Sequence, residues 1–69
     1  MSVFKKAFII ALLDKHGPMD TSDIYWQIDD DDASVPRARV ERWLAELAAS
    51  GYVKSHFDAA NNENVWRLA

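Results

Sequence analysis

The hydrophobic period of this chain changes once, at Gly51, and that change limits what the chain can fold into. Upstream of it, apolar residues recur every three to four positions; downstream, Val53, Ser55 and Phe57 alternate with Tyr52, Lys54 and His56. The first spacing gathers side chains on one stripe of a helix, and the second sends neighbours to opposite faces of a strand. After the turn-rich DAANNEN, a second short run, VWRL, completes a hairpin. Helices first and a hairpin last must bury their apolar sides against each other, so the expected class is α+β, mainly helical.

Three helices are readable before the change. Ser2 can cap a helix from Val3 to about Lys15, with Phe4, Ala7, Phe8, Ala11 and Leu12 on one stripe and Ile9, Ile10 and Leu13 widening it. Gly17 suits the left-handed residue after a helix end, and Pro18 cannot continue the helix. Asp20 or Thr21 then caps a short helix through about Ile28, with Ile24 and Ile28 facing inward and Asp23 in the first turn. Asp29 to Ala33 reads as a polar break. Ser34 is expected to cap a third helix with Pro36 in its first turn, where the missing N–H would have had no partner. Val40, Trp43, Leu44 and Leu47 form its buried stripe; Arg37, Arg39, Glu41, Arg42 and Glu46 stay outside until Gly51 ends it.

Sixty-nine residues give room for one small domain, 1–69, and the absence of cysteine leaves apolar packing as the source of stability. A hydrophobic share of 49% is sufficient for that and too rich for a disordered segment. Without cysteine there are no thiolate metal sites or thiol nucleophiles, and His16 and His56 have no second ligand at helical spacing. The run Asp29 to Asp32 lacks the glycine and closing glutamate of a calcium loop, and no serine stands in a nucleophile elbow. No enzyme activity, cofactor, metal or small-molecule substrate is therefore expected. The longest apolar run, Ala7 to Leu13, is too short to cross a bilayer and is followed by Asp14 and Lys15, so a cytoplasmic protein without a membrane partner is expected.

Taken in order, GPMDTSDIYWQI, SVPRARVERWLAELAASGYV and VWRL resemble the short strand and second helix, the recognition helix with the start of the wing, and the closing strand of winged helix-turn-helix DNA-binding domains. The resemblance covers nearly the whole chain and implies a three-helix winged helix-turn-helix with a C-terminal β-hairpin wing, 52–68. It further implies that helix 34–50 enters the major groove of double-stranded DNA while the wing touches the backbone. The matching positions are Ser34, Arg37, Arg39 and Arg42 on the helix and Lys54, His56, Asn61 and Asn62 on the wing. Arginine forks suit guanine edges and phosphates, although Glu41 and Glu46 can pair with Arg37 and Arg42 at i, i+4 to make a plain solvated face. A small transcriptional regulator is the expected function, with two copies or a partner protein supplying specificity.

Charge keeps a second reading open. Lys5, Lys6 and Lys15 stand against Asp14, Asp20, Asp23 and Asp29 to Asp32 in the first half, a balance of −4 within a total of −3. An interaction adaptor would dock a protein through Asp29, Asp30, Asp31 and Asp32, with Tyr25, Trp26 and the spare face of the first helix as an apolar patch. A homodimer would form through the first helix or the termini.

Overall fold

The computed structural model describes residues 2–69, with side chains from Lys5 onward. The capping role expected of Ser2 and the stripe position of Phe4 lie outside the described side chains. The elements follow in the order α1 (Ser2–His16), β1 (Met19–Asp20), α2 (Thr21–Asp31), α3 (Arg37–Ala49), β2 (Val53–Asp58) and β3 (Glu63–Leu68). This is the expected α+β arrangement of three helices and a C-terminal hairpin. The strands form one antiparallel sheet in the order β1-β3-β2, with Met19 opposite Trp66, and Val53 opposite Leu68.

Every element contributes to a single core: Ile9, Leu12 and Leu13 from α1, Met19 from β1, and Ile24 and Ile28 from α2. Val40, Trp43, Leu44 and Leu47 of α3 join them with Val53 and Trp66 of the hairpin. On α1 the buried stripe is centred on Ile9, Leu12 and Leu13, while Ala7 and Ala11 are exposed. The larger residues take the inward positions because they remove more apolar surface from water. No helix among the described residues is long and apolar enough to cross a membrane.

Both helix ends marked by glycine form as expected. Gly51 has φ of +84°, its N–H donates to Ala48 O, and Tyr52 N–H donates to Leu47 O, the paired bonds of a Schellman cap. Gly17, at φ of +77°, closes α1 with its N–H on Leu13 O.

Two boundaries differ from the expectation. Asp29 to Asp31 are not a loop: α2 continues through Asp31, and the Asp32 N–H still donates to Ile28 O at 2.7 Å. Carboxylates oppose the dipole at a helix C-terminus, and Lys5 of α1 offsets this, its Nζ lying 3.1 Å from Asp31 and 3.8 Å from Asp32. Nor does Ser34 cap α3. Its N–H and hydroxyl both donate to Asp32 Oδ1, at 3.0 and 2.6 Å, closing a turn that leads to Pro36. Pro36 is the N-cap residue, with extended backbone and a carbonyl that accepts from Arg39 and Val40.

Candidate nucleic-acid interface

The outward side of α3 follows from its buried stripe. With Val40, Trp43, Leu44 and Leu47 turned inward, the helix exposes Ala38, Arg39, Glu41, Arg42, Ala45, Ala48 and Ala49. Alanines hold the helix backbone close to anything laid against it, and the longer charged side chains are left on the flanks. On the flank toward α1, Arg39 and Arg42, one turn apart, line a surface depression of about 180 Å³ together with Trp43 and Glu46. Glu46 accepts from Arg42 Nε at 3.3 Å and lies 2.7 Å from Lys6 Nζ on α1. The Lys6 ammonium, and then the Arg42 guanidinium, hold the Glu46 carboxyl below its ordinary value.

On the other flank Arg37 is engaged within the protein. Its Nη2 donates to Glu63 Oε1 at 2.6 Å, its Nη1 to Ser22 Oγ at 2.9 Å and its Nε to Glu41 at 3.3 Å. Ser22 in turn gives Glu63 both its N–H and its hydroxyl, at 3.1 and 2.6 Å. One carboxylate at the start of β3 thus ties the N-termini of α2 and α3 to the wing. Its hydrogen bonds from Ser22, and secondly from Arg37, keep Glu63 ionised below its ordinary value of 4.5, and Glu63 raises Arg37 further in return.

A depressed folded-state value means that the stabilisation is complete above the unfolded carboxylate range and is lost as pH falls through the folded value. The melting-temperature advantage of wild type over Glu63→Gln should therefore be largest at neutral pH and shrink as pH drops below 4.5. Circular dichroism melts across that range check this. An advantage independent of pH would mean that the charge of Glu63 does not hold the wing.

The hairpin separates its side chains by face. Val53, Ser55 and Phe57 pair with Leu68, Trp66 and Asn64 on the side that carries buried Val53 and Trp66. Lys54 and His56 pair with Arg67 and Val65 on the side turned away from the helices. Lys54, His56 and Arg67 are exposed, and so is Phe57, at 58%, because β2 has left the core by that point. At the tip, Asp58 accepts from Ala60 N–H and Asn61 Nδ2, at 3.1 and 3.0 Å, and Asn62 takes φ of 56°, a left-handed position that asparagine tolerates.

The structure therefore brings Arg39 and Arg42 together and groups Lys54 with His56. It gives Ser34, Arg37 and Asn61 partners inside the protein. Sequence reasoning missed Lys6, Ser22 and Glu63; within the Glu63 network the contacts among Ser22, Arg37 and Glu63 span 15 to 41 positions. Of the acidic run, Asp31 and Asp32 are tied to Lys5, and Ser34 is the main cause that holds the Asp32 carboxyl below its ordinary value. Trp26 is 62% exposed on α2, edge-on to Tyr25 at a ring separation of 5.4 Å.

Helices and hairpin in this arrangement, with α3 presented beside a wing, define the winged helix-turn-helix fold, and this chain has it. Among solved structures it is similar to the Zalpha domain of Carassius auratus PKZ in complex with Z-DNA, at a TM-score of 0.79 and 22% identity, covering 99% of this chain and 97% of that one. A structure of the DNA recognition and protein interaction domains of HOP2 matches at a TM-score of 0.80 and 17% identity, over 94% of this chain and 98% of that one. PKZ Zalpha in complex with ds(CG)6 matches at a TM-score of 0.70 and 28% identity, over 87% and 86%. No family model and no curated protein matches the sequence.

Proposed function

We propose that this chain is a double-stranded-DNA-binding protein, a regulator of transcription that acts by occupying its site and not by chemistry. The observation that carries the proposal is the outward surface of α3, where Arg39 and Arg42 stand exposed beside a row of exposed alanines. A helix of that profile fits the width of a major groove, and guanidinium forks match guanine edges and phosphates. The likeness of the fold to domains crystallised with DNA supports the same reading. In it, Arg39 and Arg42 make the helix contacts, and Lys54, His56 and Asn62 are backbone contacts from the wing. Ser34, Arg37 and Asn61 shape the elements that present them, since their polar atoms already have partners in the protein.

Fluorescence anisotropy at low salt, with a mixed-sequence duplex and with a (CG)6 duplex, tests the proposal and asks which helical form is preferred. Wild type should bind. The double variant Arg39→Ala/Arg42→Ala should bind roughly tenfold or more weakly, with a shallower salt dependence, because each phosphate contact adds about 0.9 to the slope of log affinity against log salt. A wild-type protein that binds neither duplex would remove DNA from the reading. The exposed Trp26 beside Tyr25 favours a protein-binding adaptor as the second reading, with Asp29 and Asp30 as the part of the acidic run left without an ion pair among the described residues.

A further inference from the structure

The two flanks of α3 are electrostatically unlike. Toward the wing, its one cation, Arg37, faces two carboxylates, Glu41 and Glu63, so that edge carries no positive excess. Toward α1, Lys6 and Arg42 pair with the single carboxylate of Glu46, and a third cation, Arg39, lines the same depression as Arg42 and Glu46. That cluster has two positive charges more than it has negative, in a chain whose total is −3.

The donors of the cluster are also unevenly used. Arg42 reaches Glu46 through Nε alone, its side chain is 75% exposed, and no other hydrogen bond engages its two terminal nitrogens among the described residues. Arg39 makes no ion pair or side-chain hydrogen bond among the described residues, and it lines the same depression. A guanidinium offers five N–H donors in a fixed fork, so most of the donor capacity of both arginines points at open space. Glu46 meanwhile accepts from Lys6 and Arg42 together, which is the bridging role an oxygen-rich anion takes between two cations.

We propose that the depression on the α1 flank of α3 is a phosphodiester subsite, in which Arg39 and Arg42 of its lining, joined by Lys6 where it meets Glu46, hold one DNA backbone phosphate and Glu46 is the internal competitor for Lys6 and Arg42. The inference rests on the DNA-binding reading and deepens it by assigning the backbone-facing edge of α3 to the α1 side and by adding Lys6 to the interface. A phosphate that enters draws Arg42 and Lys6 away from Glu46, so the carboxylate weakens backbone binding that a neutral amide at the same position would leave free. Low charge on Glu46 is not available to relieve this at neutral pH, because Lys6 and Arg42 favour its ionised form.

Two substitutions with opposite expected effects test it, both measured by anisotropy on the mixed-sequence duplex over a salt series. Lys6→Gln should weaken binding about threefold to tenfold and lower the salt slope by about 0.9, the value of one phosphate contact on duplex DNA. Glu46→Gln should tighten binding about threefold or more at low salt. Circular dichroism melts establish that both variants are folded; Glu46→Gln guards against the case in which a loss in Lys6→Gln comes from loosened α1 packing, since a gain cannot arise that way. If wild type binds the duplex and neither variant changes affinity or slope, the subsite is overturned and the DNA-binding reading stands. If wild type does not bind, it is the reading that fails.

Discussion

Leu44→Ala is expected to leave this domain only marginally folded at room temperature. A chain of this length has a stability of roughly 3 to 10 kcal/mol, taking about 0.05 to 0.15 kcal/mol per residue. Truncating a fully buried leucine costs about 2 to 5 kcal/mol, the loss of transfer energy plus the cavity left behind. Leu44 has no exposed surface and sits on α3, which packs against α1, α2 and β2 at once. A void there is bordered by helices and strand whose backbones are fixed by their own hydrogen bonds, so little collapse can refill it. The melting temperature should fall by about 10 °C or more, since each kcal/mol shifts a small domain by about 4 to 8 °C. Phe57→Ser, at a position equally apolar but exposed, should stay within about 0.5 kcal/mol of wild type. Equal losses from the two substitutions would mean that the core does not lie where the buried residues place it.

The contrast between those two positions also shows what could be read from the chain and what could not. Val40, Trp43, Leu44 and Leu47 stand out because polar residues separate them at helical spacing, so the buried face of α3 was legible. Both glycine-marked helix ends were legible for a local reason, the left-handed backbone. On α1 the same logic is ambiguous: Phe8, Ile9, Ile10, Leu12 and Leu13 leave periodicity no polar side to choose against. Packing chose Ile9, Leu12 and Leu13. Phe57 alternates correctly with Val53 and shares its face, yet alternation cannot say where the hairpin outruns the helices that cover it.

Long-range pairing was the other obstacle, and it bears most on the interface. Four consecutive aspartates look like a loop until Lys5, far back in α1, is placed beside the last two and the helix is seen to continue. The partners of Arg37 were hidden in the same way, since Glu63 and Ser22 come to it from β3 and α2. Local spacing did reveal the Arg37–Glu41 and Arg42–Glu46 pairs, because four residues along a helix is one turn. What it could not reveal was which of the two arginines keeps free donors. That difference, set by the wing on one flank and by α1 on the other, decides how the site is read.

A second large effect is expected where the wing meets α2. The Trp66 Nε1–H donates to Thr21 Oγ1 at 2.9 Å, with both residues buried, and the Thr21 hydroxyl lies 3.4 Å from the carbonyl of Asn64. Thr21→Val keeps the shape of the side chain and removes the acceptor, leaving a buried indole N–H without a partner. Such a group costs about 1 to 3 kcal/mol, a large part of the stability available to so short a chain. Trp66→Phe removes the donor as well as part of the ring that packs in the core, so its cost adds lost apolar burial to the broken bond. The double variant separates the two contributions. Once the indole N–H is gone, replacing the threonine hydroxyl by a methyl no longer strands a donor, so Thr21→Val should cost markedly less in the Trp66→Phe background than in wild type. Urea denaturation of the four proteins gives the coupling directly, and a value indistinguishable from zero would mean that the bond does not hold β3 to α2. A positive coupling ties the wing to the start of α2 through its interior, as Glu63 does at its rim. The wing is then anchored at its base to the frame that presents α3.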